Sequence, residues 1–381
     1  MKRIYLDNAA TTAPHPEVID AMKNCLDSCW GNPSSIHAYG REARTVIDRA
    51  RKQIAELIGA SPSEIFFTSG GTEANNMVLR QSIHAFNLKH IISSPTEHHA
   101  VLHTLEELHA AGKIQLHLLN LDPLGNIDQE QLEELLKKNS HSLVSIMHAN
   151  NEIGTKIDLE KIADLIGQNG GLFHSDAVQT MGHYAFDLKN AGLHFTNGAA
   201  HKFHGPKGIG FCYIKSGHTL QPFITGGAQE RNMRAGTENL YGIVGLAKAM
   251  EIAYRNLTED QQYVRNLKNL MIRELQQRIP NIEFNGDIGE QSLYTVLNVL
   301  LPECEEAEMA LFKLDIQGIA VSGGSACSSG SNVGSHVIAA IKPNNTRTAI
   351  RFSFSKFNTP EEIIFVAETL QKMLHKNKIH A

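Results

Sequence analysis

Lys202 is the residue of this sequence best placed for covalent chemistry. It lies in residues 199–206, AAHKFHGP, between small residues and a glycine–proline turn. In a tight and partly buried loop the pKa of a lysine amine falls, and the neutral amine can form a Schiff base with a carbonyl compound. Lys207, just past the turn, is better explained as a solvated surface lysine.

Two further segments could bind charged groups. Residues 66–76, FFTSGGTEANN, predict a strand end, a glycine turn and a helix start. Such a turn lets backbone N–H groups approach a phosphate at the helix N-terminus. Asp176 follows another apolar run, in residues 174–179, HSDAVQ. An acid there can bind a metal, cap a helix or pair with a cation. Taken singly, both segments are also consistent with ordinary capped turns.

Cys327 lies in the small, polar and glycine-rich residues 322–332, SGGSACSSGSN. Such a segment is expected near the surface, which favours a reactive thiol over a packed one. An odd number of cysteines without a CxxC pair argues against a disulfide framework and a zinc site, and no metal is expected. The remaining thiols are interpreted as buried or incidental: Cys25, Cys29, Cys212 and Cys304.

The elements that must position these residues alternate between helices and short apolar runs up to about residue 215. This alternation predicts an α/β fold with a mostly parallel sheet covered by helices on both faces. Ligands of such sheets bind at the carboxyl ends of the strands, where the segments described above begin. The predicted strands are residues 65–68, 90–93, 114–119, 143–148, 172–174, 195–197 and 209–214.

A second, smaller α+β region follows residue 241. The pattern predicts a long helix over 242–279, with a break near Thr258, and then short strands and helices. We therefore divide the chain into a large domain, residues 14–257, and a small domain of residues 1–13 and 258–381, which carries the cysteine segment. Short strands are expected at 282–284, 295–300, 319–321 and 348–354, with helices at 305–315 and 360–375.

Composition excludes some classes of partner. The chain has 381 residues and a formal charge of −5, so no net basic field attracts nucleic acid. No apolar stretch is long enough to cross a membrane, and the first residues do not form a signal peptide. The expected location is the cytoplasm.

Together and in this order, the segments resemble the class V aminotransferase superfamily of enzymes that use pyridoxal phosphate (PLP). Within it the cysteine desulfurases of the NifS/IscS type match best, over nearly the whole chain. The resemblance implies a PLP-dependent transferase of fold type I with a seven-stranded sheet in its large domain. The matching motifs are residues 5–12 (YLDNAATT), 31–35 (GNPSS), 69–76, 96–98 (TEH), 148–154 (HANNEIG), 201–210, 226–237, 324–327 (GSAC) and 350–354 (IRFSF).

The resemblance also implies the role of each site residue. Lys202 would hold PLP and move protons, with help from His98, and Asp176 would pair with the pyridine nitrogen. Arg351 would bind the carboxylate of L-cysteine, assisted by Asn151, and Cys327 would take its sulfur as a persulfide. The remaining cofactor contacts would come from Asn151, Gln179, Gly71, Thr72 and His201, and from Thr237 of a second subunit in a homodimer. An iron–sulfur scaffold protein is the common sulfur acceptor in the family.

Three departures from the family pattern leave alternatives open. Ala199 stands where relatives carry a phosphate-binding serine, residues 332–336 (NVGSH) replace a common Leu-Glu-Pro-Ser pattern, and Ser355-Lys356 replaces Gly-Arg. A selenocysteine lyase shares this framework, and some such enzymes also lack the serine. The alternative from another class is a catalytically degenerate scaffold or regulatory paralogue. The presence of Lys202, Asp176 and Cys327 argues against it.

Overall fold

The computed structural model describes residues 3–323 and 334–374. It is an α/β structure with a seven-stranded sheet, a three-stranded sheet and a two-stranded pair. The strands are β1 Ile4–Tyr5, β2 Ile65–Thr68, β3 His90–Ser93, β4 Gln115–Leu118, β5 Ser142–Ser145, β6 Leu172–Ser175, β7 Phe195–Ala199, β8 Gly210–Ile214, β9 Glu283–Asn285, β10 Val296–Leu300, β11 Ile319–Ala320 and β12 Ala349–Ser353. The helices are α1 Pro16–Ser28, α2 Ala38–Leu57, α3 Gly71–Ala85, α4 His99–Ala110, α5 Gln129–Lys138, α6 Leu159–Gln168, α7 Leu240–Arg255, α8 Leu257–Arg278, α9 Glu305–Glu308, α10 Ala310–Ile316, α11 His336–Ile341 and α12 Pro360–Leu374.

The large sheet has the strand order β2-β8-β7-β6-β5-β3-β4. Strand β8 runs antiparallel to both of its neighbours, and the other strand pairs are parallel. The prediction of a mostly parallel seven-stranded sheet is therefore confirmed. The antiparallel direction of β8 was not predicted, because an apolar run has the same composition in either direction.

Both faces of the sheet are covered by helices. Phe211 and Tyr213 of β8 belong to a core cluster with α2 and α7, whereas Cys212 and Ile214 belong to the cluster with α3 and α4. Successive side chains of a strand point to opposite faces, so apolar residues at every position of β8 mean that both faces are buried. This explains why the strand appears in the sequence as an uninterrupted apolar run.

A further core cluster joins α8 and α12 to strands β10 and β12. The predicted break near Thr258 is found at Asn256, which separates the two helices α7 and α8. Strand β1 pairs in parallel with β11, so the start of the chain joins this cluster rather than the large sheet. The division of the chain into two domains stays a prediction.

The carboxyl ends of the parallel strands meet at one edge of the large sheet, and the segments with predicted chemistry follow β2, β6 and β7 there. Among residues 3–323 and 334–374, the helices include none long and apolar enough to cross a lipid bilayer.

Candidate active site

The first turn of α3 forms one wall of a cavity at this edge of the sheet. Gly70 has a φ of 156°, a conformation that side chains disfavour, and it joins β2 to the helix. A methyl group at Gly71 would lie 2.5 Å from Cγ2 of Val178, so glycine allows the helix to begin this close to the segment after β6. In the described part of the chain no side chain caps this helix. Its first N–H groups, at cavity-lining Gly71 and Thr72, can therefore bind an anion.

Asp176 follows β6 and is held by two hydrogen bonds. Asn75 of α3 donates its side-chain amide to one carboxylate oxygen at 2.6 Å, and the backbone N–H of Val178 donates to the other at 2.9 Å. Asn75 in turn accepts a hydrogen bond from Asn197 of β7 at 2.6 Å. All three side chains of this network are buried. The network fixes the carboxylate in one orientation, and the sequence had not identified Asn75 or Asn197 as site residues.

Lys202 lies in a short turn after β7. Its amine donates to the backbone carbonyl oxygens of Ala9 and Ala10 at 2.6 and 2.9 Å. The side-chain amide of Gln179 also donates to the Ala9 carbonyl, at 3.1 Å. The N-terminal segment therefore forms a wall of the cavity, where Ala9 and Ala10 both line it. This contact links positions more than a hundred residues apart, and no local pattern in the sequence indicates it.

Two histidines line the cavity in neutral form. Burial lowers the pKa of His98, although the carboxylate of Asp176 partly opposes this effect. The Nδ1 atom of His98 accepts the backbone N–H of Ala100 at 3.0 Å, which leaves Nε2 to carry the ring proton. Burial, together with the neighbouring Lys202, lowers the pKa of His201 to about 4. A neutral imidazole next to a lysine can donate a hydrogen bond without adding another cation to the site.

Arg351 of β12 extends into the cavity and is only 1% exposed. The structure supplies this buried guanidinium with internal partners. One terminal nitrogen donates to a carboxylate oxygen of Asp7 at 2.8 Å, and the other donates to the backbone carbonyl of Asn151 at 2.9 Å. In the described part of the chain the Nε atom has no hydrogen-bond partner. A donor therefore remains for an incoming carboxylate.

The structure brings most of the predicted site residues around one open cavity of about 240 Å³. Thr237 does not line it and instead lines a separate pocket with Ser69, Gly208 and Glu230. Cys327 lies outside the described residues. The predicted residues that line the cavity are Gly71, Thr72, His98, Asn151, Asp176, Gln179, His201, Lys202 and Arg351.

The residues that follow the cysteine segment lie beside the cavity. The Ser335 hydroxyl donates to a carboxylate oxygen of Glu152 at 2.6 Å and caps α11. The Nε2 atom of His336 lies 3.0 Å from the backbone carbonyl of Glu97, and its Nδ1 atom lies 3.1 Å from Nε2 of His99. Although residues 332–336 depart from the family pattern, Ser335 is thus attached to the loop that carries Asn151, and His336 is attached to the loop that carries His98.

Glu97 is a buried group that the sequence analysis did not assign. One carboxyl oxygen accepts the backbone N–H of Met147 at 2.7 Å, and the other has no partner in the described part of the chain. Burial raises the pKa of Glu97 well above its usual value. Burial therefore favours the neutral form of this carboxyl group, since its charged form would place a second negative charge near Asp176.

Comparisons with known proteins agree with this geometry. The family described as aminotransferase class-V matches residues 4–366. The chain is 42% identical to the cysteine desulfurase IscS of Dictyoglomus turgidum, over 99% of this chain and 96% of that protein. Its fold is similar to a solved structure described as a NifS-like protein, with a TM-score of 0.90, 36% identity and coverage of 98% of this chain and 99% of that one. It is also similar to a structure described as SspA in complex with cysteine, with a TM-score of 0.80, 30% identity and coverage of 94% and 100%.

Proposed function

The chain belongs to the class V aminotransferase family, and on that premise we propose that it is a PLP-dependent cysteine desulfurase. It converts L-cysteine to L-alanine and transfers the sulfur to Cys327. The observation that carries the proposal is the convergence of the Lys202 amine, the Asp176 carboxylate and the Arg351 guanidinium on one cavity. The relatives at 36–42% identity that cover nearly the whole chain carry the names of cysteine desulfurases or NifS-like proteins, which supports the same activity.

The residues present fit PLP. The first turn of α3 would hold the phosphate, the fixed Asp176 carboxylate would pair with the protonated ring nitrogen, and Lys202 would hold the aldehyde carbon. Gln179 and Asn151 would bind the ring hydroxyl, and His98 would stack on the ring. When bound, PLP supplies an electron sink that makes the α-proton of cysteine acidic and weakens the bond between the side-chain carbon and sulfur.

The protein's own residues then bind the substrate and move its protons. Arg351 binds the cysteine carboxylate through Nε and an adjacent N–H group, a fork that lysine cannot copy. This contact orients the α-carbon toward the amine of Lys202, which accepts the α-proton and later returns it. The Nε2–H group of His98 donates a hydrogen bond during the same exchange.

Sulfur transfer requires a nucleophile outside the described residues. The thiolate of Cys327 attacks the substrate sulfur, a sulfur–sulfur bond forms as the carbon–sulfur bond breaks, and alanine leaves after protonation. Three of the other cysteines are buried and are poorer candidates. Burial raises the pKa of Cys212, Cys25 and Cys29, which disfavours the thiolate.

Three finer statements belong to this proposal. The enzyme works as a homodimer in which Thr237 reaches the phosphate of the other subunit, and the separation of Thr237 from its own cavity supports this. An iron–sulfur scaffold protein receives the sulfur, as the family resemblance implies. The cytoplasmic location expected from the sequence stays a prediction.

Selenocysteine lyase activity is the second candidate. It is favoured by Ala199, whose methyl group lines the cavity where relatives have a hydroxyl. Turnover of L-cysteine and L-selenocysteine by the same preparation separates the two functions. A desulfurase forms alanine from cysteine and leaves a persulfide, whereas a lyase acts on selenocysteine alone.

The assignment is tested by trapping each covalent species. Borohydride should fix PLP to Lys202, and Lys202→Ala should abolish this adduct while Lys207→Ala, at an exposed lysine of the same loop, retains it. After one pulse of cysteine, mass spectrometry should find one added sulfur on Cys327. Cys304→Ser should keep that adduct, and Cys327→Ser should lose both the adduct and alanine formation. An adduct on another lysine or another cysteine contradicts the assignment.

A further inference from the structure

Arg351 already has an internal counterion in a position where a substrate carboxylate would bind. Its guanidinium lies 2.8 Å from a carboxylate oxygen of Asp7, and the side chains are 1% and 20% exposed. The carbonyl of Asn151 takes another N–H group, and in the described part of the chain Nε has no partner. A carboxylate that binds to Nε therefore shares a single guanidinium with Asp7.

The backbone fixes the position of Asp7. Its carbonyl accepts the N–H groups of Ala10 and Thr11 at 3.1 and 3.4 Å, and its backbone forms a bridge with Ser353 of β12. The same turn supplies the carbonyl oxygens of Ala9 and Ala10 to Lys202. One short segment thus holds both of the basic side chains that the mechanism uses.

Two opposing effects follow from this arrangement. A buried guanidinium without a counterion is unfavourable, so Asp7 stabilises Arg351 in its orientation before substrate binds. The same negative charge repels any carboxylate that approaches the guanidinium. The substrate and its product alanine carry the same carboxylate, so a stronger contact would slow the departure of product as well as strengthen the binding of substrate.

Resting on the proposed function, we propose that Asp7 is a positioning residue that orients Arg351 and limits its affinity for the carboxylate of substrate and product. Asp7 does not touch the reacting atoms. It acts through the charge of Arg351, and it makes the carboxylate site reversible rather than tight.

Asp7→Asn tests this because the amide oxygen can still accept the Arg351 hydrogen bond while the charge is removed. We expect the dissociation constant of L-alanine from the PLP-loaded protein, measured by calorimetry, to fall on the order of tenfold. The KM for L-cysteine should fall by a similar factor without an increase in kcat. Ethylamine, which is alanine without its carboxylate, should bind with unchanged affinity.

Matched variants separate charge from structure. Asp7→Glu restores the negative charge and should return alanine affinity toward the wild-type value. Asp27→Asn removes a charge from an exposed position of α1 and should change neither constant. If Asp7→Asn does not fold, Asp7→Ser gives the same comparison.

Unchanged or weaker alanine binding in the Asp7→Asn protein, or an equal change in ethylamine binding, would overturn the inference. A wild-type protein that binds alanine but forms none from cysteine would instead overturn the proposed function. The two failures are therefore distinguishable.

Discussion

Replacing Asn75 with alanine should lower both the free energy of unfolding of the protein and its affinity for PLP. The substitution removes the donor that lies 2.6 Å from the Asp176 carboxylate and the acceptor that lies 2.6 Å from the Asn197 amide. A hydrogen bond to a charged group contributes about 1.5–3 kcal/mol, and a buried amide left without a partner costs about 1–3 kcal/mol. The free energy of unfolding without PLP should therefore fall by roughly 2.5–6 kcal/mol.

The affinity for PLP should fall for a separate reason. With Asn75 gone, the carboxylate of Asp176 keeps, among the described residues, only the hydrogen bond from the Val178 N–H, and it can rotate away from the pyridine nitrogen. If most of the free energy of the lost charged hydrogen bond appears in PLP binding, the dissociation constant of PLP should rise about 10- to 100-fold. Denaturant unfolding of the PLP-free protein and a titration with PLP measure the two effects independently.

Asn76→Ala is the matched control because Asn76 is the next residue of α3 and bonds to Thr72, Ala100, Arg80 and Thr104 rather than to Asp176. We expect its PLP affinity to stay within about twofold of the wild type, while its stability falls by about 1–3 kcal/mol because its own hydrogen bonds, including that from Arg80, are lost. Equal PLP affinity in the Asn75→Ala and wild-type proteins would refute the role given to this network.

Two further predictions concern the phosphate site and the response to acid. Ala199→Ser should place a hydroxyl at the cavity wall and raise PLP affinity by up to about a hundredfold, whereas an unchanged titration would mean that the phosphate is already fully bound. Burial lowers the pKa of His174 from 6.5 to about 4. Between these two pH values the unfolded chain therefore binds more protons than the folded protein. The stability that this residue contributes above pH 6.5 is consequently lost as the pH falls toward 4. Between pH 7.5 and 5.5, the free energy of unfolding of the His174→Gln protein without PLP should fall by about 1 kcal/mol less than that of the wild type. The same pH dependence in both proteins would contradict this.

The large sheet could be predicted from local patterns. Every predicted strand of the large sheet appears, because a strand buried on both faces is a short apolar run bounded by turns. Polar residues directly after such runs are expected at the carboxyl edge, and Asp176 and Lys202 do follow β6 and β7. The smaller elements were harder to place. Strand β1 has only two residues, too few for a periodic pattern, and its partner β11 lies more than three hundred residues away.

The partners of the predicted residues were not predictable in this way. The sequence indicated Arg351, but its counterion Asp7 is 344 positions away. Likewise, Asn75 and Asn197 are 122 positions apart, and Asn75 appears locally as a polar residue of a helix. Such hydrogen bonds depend on how elements pack against one another, which local composition does not encode.

The sequence by itself therefore determined the chemical groups of the candidate site, the family and the edge of the sheet where those groups gather. Each of these depends on residue type and on short-range order along the chain. Only the tertiary structure decided which donors hold Asp176, that the carbonyl oxygens of Ala9 and Ala10 accept the Lys202 amine, and that Arg351 is already paired with Asp7. The physical reason is that a hydrogen bond requires two groups within about 3 Å of each other, and this distance is set by the packing of elements that are remote in sequence.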